Sequence, residues 1–326
     1  MALAHLGTAE SSRRRADGGE GAVNQCTIAE KISCTGVGLH TGKPVQLTLH
    51  PARAGTGIVF VRTDLREPIE IPATPASLTG RAHLATTLGR DGATLDTVEH
   101  LLAAAYGLGV DNLRVEVDGP ELPGMDGSAA SFVFLLRAAG LYEQAARRHV
   151  LRVARPFEIR EGARSIRIEP GRGLRVSYEI DFDHPCIRRQ AIHDFVIDEI
   201  RFEREIARAR TFGFVAEVDA LWRAGRARGS CLDNTVVLDD TRVLIRDGLL
   251  YPDEFVRHKV LDLLGDLALL GVRVEGHIRV VRGGHALHQK LVTKLASERL
   301  ARRLDPVLRL PDVVVEPRRV AVGGRL

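Results

Sequence analysis

VQLTLHPARAGTGIVFVR (45–62) and SIRIEPGRGLRVSYEIDF (165–182) carry one pattern twice. Each alternates apolar and polar residues, turns at a Pro- and Gly-containing stretch, and alternates again. That is a strand, a turn and a second strand, with one face of each strand made for a core. Two further pairs follow in the same order. VEHLLAAAYGLGVDNLRVEV (98–117) and VRHKVLDLLGDLALLGVRVE (256–275) both run from a His-bearing helix through a Gly-Val stop into a strand. MDGSAASFVFLLRAAGL (125–141) and GGHALHQKLVTKLASERL (283–300) are both glycine-led entries into an amphipathic helix. One matched pair is an ordinary α+β coincidence; three in one order indicate duplication.

The chain is therefore read as α+β, with two duplicated domains of similar fold. Because both strand sets alternate, helices are expected on one face of each sheet. The boundary falls near AARRHVLRV (145–153), giving domains over 24–146 and 150–303. A disordered leader is expected over 1–23 and a tail without a readable role over 304–326. The interface between the halves is the natural cleft.

Composition narrows the function classes. At 326 residues and 44% apolar, the chain can build a real core. The net charge of +4 is mild and spread along the chain, with no basic stripe or nucleic-acid motif, so an anionic small substrate is favoured over a nucleic acid. Cys26, Cys34, Cys186 and Cys231 form no CxxC pair, which suits reduced cytosolic thiols. No apolar run reaches membrane-spanning length.

Chemistry concentrates in FVRHKVLDLLGDL (255–267). At ~100° per residue, His258, Asp262 and Asp266 drift by about 40° at each step and share one arc with Lys259. The plainer reading is a solvated helix face. Such faces use long helix-forming side chains, whereas Asp is poor in mid-helix. Gly265 beside the acids suggests a recessed stripe that something approaches closely. Lys259 is one of only five lysines.

The matched helices each carry a histidine, His100 and His258. If the helices face one another, the two imidazoles and Asp262 supply two nitrogens and an oxygen, a catalytic zinc set with an open position. The alternatives are a satisfied buried histidine at His100 and a plain helix start at Thr97 and Glu99. Glu99 beside a ligand is suited to take a proton from an activated water. His285, on a glycine turn, is suited to act as a general acid, with Asp266 holding it protonated. His288 is read as structural, and His40 in GVGLHTGKP as a weaker site candidate.

TVEHLL (97–102), FVRHKVLDLLGDL (255–267) and GGHAL (283–287), with TGVGLHTGKPV (35–45), LPGMDGSAASFV (122–133), IDFDHP (180–185) and ARTFGF (209–214), together resemble the UDP-3-O-acyl-N-acetylglucosamine deacetylases, the zinc amidases of lipid A biosynthesis. The likeness runs in order from about residue 25 to 300. It implies a duplicated α+β fold with helices sandwiched between sheets. It implies one Zn2+ per chain held by His100, His258 and Asp262, with Glu99 as general base. His285 becomes the cationic acid or oxyanion partner, supported by Asp266, and Thr211 helps hold the oxyanion. Lys259 contacts the substrate's polar head; Phe212 and Phe214 line the sugar region; Phe182 stacks near the nucleotide. An insert near 214–240 forms the acyl passage, with Val218 and Trp222 along it. GSCLDN (229–234), and the charges of Arg226 and Arg228, depart from the family's usual pattern there and leave the acyl-chain length open. The implied enzyme is a cytoplasmic monomer acting on UDP-3-O-(3-hydroxyacyl)-N-acetylglucosamine, with no nucleic acid and no membrane span. A different zinc amidohydrolase, acting on another acetylated sugar, and a catalytically silent metal-binding protein are the rivals.

Overall fold

A computed structural model of the chain describes residues 23–80, 84–246 and 248–304. But for Val23 and Leu304, the expected leader and tail lie outside the described residues.

The duplication is visible in the strand order. The first sheet contains β1 (Ile32–Val37), β2 (Pro44–Pro51), β3 (Ile58–Arg62), β4 (Ile69–Pro72) and β5 (Leu113–Val117). The second contains β6 (Phe157–Glu161), β7 (Arg164–Glu169), β8 (Leu174–Asp181), β9 (Arg189–Ile197) and β10 (Arg273–Val281). Spatially they run β1-β2-β5-β3-β4 and β6-β7-β10-β8-β9. In each sheet the last strand in sequence enters the middle, parallel to one neighbour and antiparallel to the other. The short strand Val150–Arg152 adds parallel to β10.

The alternation explains the layers. Val45, Leu47 and Leu49 of β2 point inward, as do Ile166 and Ile168 of β7. Opposite them lie α1 (Glu99–Leu108), α2 (Ala130–Ala138), α4 (Glu254–Ala268) and α5 (His285–Leu304). The buried side chains of both sheets and of these helices form one continuous cluster, so the helices are sandwiched between the sheets. Between β9 and α4 the chain inserts a small three-stranded unit, Phe212–Phe214, Val236–Leu238 and Val243–Leu244, carrying α3 (Val215–Arg223).

The face of α4 in question is not solvated. His258, Asp262 and Asp266 are each at most 2% exposed. What approaches is α1, which packs along α4. A Cβ at Gly265 would overlap the Glu99 carbonyl and lie 2.9 Å from the Glu99 Cα. Aligning the two helix sequences with His100 on His258 pairs Gly107 with Gly265, and Ala104 and Leu108 with Asp262 and Asp266. Only the second copy carries the acids. Gly265→Ala should therefore destabilise the protein by about 1–3 kcal/mol through overpacking at backbone. Thermal unfolding checks this, and an unchanged midpoint would contradict the close approach.

Candidate active site

The start of α1 lies against the body of α4 at the centre. Glu99 opens α1, preceded by Thr97 at a φ of 59°, a costly conformation for a β-branched residue. The Thr97 hydroxyl does not cap the helix; it donates to Glu121 Oε1 at 3.1 Å. This places His100, in the first turn, edge-on to His258 with ring centroids 5.2 Å apart. The opening turn of α4 is anchored separately. Buried Glu254 accepts from Arg210 Nε at 2.7 Å and from Arg210 Nη2 at 3.0 Å, which ties the segment 209–214 to the helix. The Ala209 carbonyl then accepts from His258 Nδ1 at 3.0 Å. With Nδ1 committed, Nε2 is the ring atom left to bind a metal.

Ligand atoms of His100, His258 and Asp262 lie within 4.8 Å of one another. His258 Nε2 is 3.3 Å from Asp262 Oδ1, and that oxygen is buried without a hydrogen-bond partner. Donors about 2.0–2.1 Å from a tetrahedral ion stand roughly 3.3 Å apart, so the spacing fits a metal. Burial opposes charge on Asp262, yet His258, Lys259 and His285 hold its carboxyl well below the usual range. Burial, aided by neighbouring His258, lowers the His100 pKa to about 3, and burial also lowers that of His258. One anionic and two neutral donors are what a divalent cation needs.

Glu99 and His285 face each other beside this set, Oε1 to Nε2 at 3.9 Å. Burial raises the Glu99 pKa to about 7, against the pull of His285. Burial alone would lower His285, but Asp266 and Asp262 raise it to about 9. Asp266 Oδ2 accepts from His285 Nδ1 at 2.9 Å. Thr86, absent from the sequence reading, links both arms. Its N–H donates to Glu99 Oε2 at 3.0 Å, and its hydroxyl donates to Asp266 Oδ1. Gln289 Nε2 donates to that hydroxyl oxygen at 3.2 Å. Neither Thr86 nor Gln289 belongs to a spaced motif, so no local signal marks them.

A cleft of about 830 Å³ opens beside the cluster, lined by Phe182, Lys259, Arg282, Gly283 and His285 among others. Phe182, Phe212 and Phe214 form one aromatic group, with centroids 5.7–6.4 Å apart. Phe212 continues it to His258 at 6.3 Å. Lys259 Nζ lies over the Phe212 ring at 5.4 Å and pairs with Asp262 Oδ2 at 2.8 Å. Thr211 stands between Ala209 and Phe212, but among the described residues its hydroxyl makes no hydrogen bond to the cluster. Val218 is partly buried and Trp222 is exposed, one turn apart on α3 and outside the walls of this cleft.

The departing stretch of the insert docks on the first half. The N–H groups of Arg228 and Gly229 donate to the His40 and Leu39 carbonyls, each at 3.0 Å. A Cβ at Gly229 would overlap the Gly38 carbonyl. Arg226 reaches Asp96 at 3.1 Å. His40 is buried against this joint, where its Nδ1 accepts from the Ala227 N–H at 3.4 Å. It thus packs at the joint between the insert and the first half.

Among the described residues, no helix is long and apolar enough to cross a membrane. Residues 25–297 match the family profile of UDP-3-O-acyl N-acetylglycosamine deacetylase. A UDP-3-O-acyl-N-acetylglucosamine deacetylase of Myxococcus xanthus is 50% identical over 84% of this chain and 87% of its own. Proteins of that name from Nitratidesulfovibrio vulgaris and an Anaeromyxobacter species are 51% and 49% identical, over 84% and 92% of this chain and 88% and 97% of theirs. With this geometry and these relatives, the chain belongs to the UDP-3-O-acyl N-acetylglycosamine deacetylase family.

Proposed function

We propose that the protein is a zinc-dependent hydrolase that removes the N-acetyl group of UDP-3-O-acyl-N-acetylglucosamine in lipid A biosynthesis, releasing acetate and the free 2-amine. The observation that carries this is the buried pairing of Glu99 with His285 beside the donor set of His100, His258 and Asp262. Those three residues would hold one zinc ion, which supplies Lewis acidity toward water and toward an amide carbonyl. Glu99 accepts the proton of the attacking water at Oε1, while the Thr86 N–H fixes Oε2. His285 presents its protonated Nε2 to the carbonyl oxygen as charge develops there, and Thr211 contributes a hydroxyl from the adjacent segment. Two protons are then at hand for the departing amine, one on Glu99 and one on His285. Lys259 and the Phe182, Phe212 and Phe214 group receive the polar head and sugar, and α3 with Val218 and Trp222 guides the acyl chain. The same reading has the enzyme work as a cytoplasmic monomer on a nucleotide sugar.

Acetate release from the UDP-sugar, with and without added zinc, tests this. Chelation should abolish turnover while circular dichroism shows the fold retained. Unfolding on chelation would instead indicate a structural metal. Turnover confined to another acetylated sugar would redirect the substrate assignment.

The pH profile should be bell-shaped. Glu99 must be deprotonated, so activity rises as pH passes its pKa, about 7 before zinc and lower beside a dication. His285 must be protonated, so activity falls as pH passes about 9. Asp266 favours the His285 cation. Asp266→Asn should therefore move the basic limb to lower pH and narrow the profile, with zinc content unchanged. A profile that overlays the parent would remove Asp266 from this role.

A further inference from the structure

The hydrogen bonds around Asp266 extend past His285. The same Oδ2 that accepts from His285 Nδ1 also accepts from His288 Nδ1, at 3.0 Å. His288 is fully buried, and its Nε2 lies 2.9 Å from the Tyr178 hydroxyl. Tyr178, on β8, is itself 1% exposed, with its ring edge-on to His288 at 5.8 Å. Gly283 makes room for this reach: a Cβ there would stand 2.9 Å from the Tyr178 oxygen.

Proton counting orders the chain. Asp266 Oδ2 is an acceptor only, so both imidazoles must carry a proton on Nδ1. A neutral His288 with Nδ1–H has a bare Nε2, and the Tyr178 hydroxyl donates to it. Burial holds the phenol pKa well above its usual value and lowers that of His288, which keeps the tyrosine protonated and the second imidazole neutral. The Thr86 hydroxyl occupies the other oxygen of Asp266. Without Tyr178, His288 is free to place its proton on Nε2. It would then turn a lone pair toward the same oxygen that holds His285.

The geometry points to Tyr178 and His288 as positioning residues for His285, acting through Asp266 to fix the direction of its Nε2. This rests on the proposed deacetylation, and the two are separated in the test.

Tyr178→Phe keeps the ring and removes only the hydroxyl. It should lower kcat about tenfold, at the low end for an outer hydrogen-bond partner, with KM within about twofold and zinc content unchanged. His288→Gln should lower kcat similarly. In a His285→Ala background, Tyr178→Phe should have no further effect, because the group it positions is gone. In the zinc-free protein, the downfield proton resonances of the two Nδ1–H groups should be present in the parent, and the His288 resonance should be lost in Tyr178→Phe. An equal fall in kcat with and without His285, or unchanged kcat with both resonances intact, would overturn the assignment. A parent that releases no acetate would overturn the deacetylation reading, and the resonances would still decide the relay.

Discussion

Replacing His258 with alanine is expected to weaken zinc binding by at least about 100-fold, beyond the range usual for outer-shell partners, and to abolish acetate release. Two consequences combine. The donor set loses the nitrogen that stands 3.3 Å from Asp262 Oδ1, leaving that buried oxygen with less to share a cation with. The Ala209 carbonyl also loses its donor in a buried place, a penalty of about 1–3 kcal/mol in stability. The variant should therefore show low metal content and a lowered unfolding midpoint. Metal analysis after dialysis against a calibrated zinc buffer provides the check. Unchanged stoichiometry and affinity would sink the assignment of His258 as a ligand.

Glu99→Gln separates the base from the ligands. The amide oxygen of glutamine still accepts from the Thr86 N–H, which donates at 3.0 Å in the parent, so the side chain should keep its place. Zinc should stay at one per chain. Turnover should fall by ~10²–10⁴-fold, the range for loss of a general base. Because Glu99 sits against Gly265 and is 2% exposed, a larger perturbation of the fold would blur the result, and isosteric glutamine avoids it. Near-normal turnover would remove Glu99 from the mechanism.

Much of this was legible in local pattern. Alternation in 45–62 and 165–182 predicts strand pairs whose inward faces, Leu47 with Leu49 and Ile166 with Ile168, are buried. The four-residue spacing of His258, Asp262 and Asp266 places them on one helical stripe, and the choice of short acids over glutamates hints that the stripe is recessed. Periodicity and i, i+4 spacing are properties of the chain within a few residues, so they survive in one dimension.

Other features exist only once elements pack. Neither helix alone shows that His100 meets His258, or that the neighbour of Gly265 is the Glu99 backbone; these depend on where α1 crosses α4. Thr86 joins Glu99, thirteen residues on, to Asp266, 180 residues on, with no spacing to announce it. His288 reads as a structural helix residue until Tyr178, 110 residues earlier, is found against its Nε2. Hydrogen bonds between residues far apart in sequence depend on the register of β8 against β10 and the entry angle of α5. Those are settled by burying both sheets against one shared set of helices.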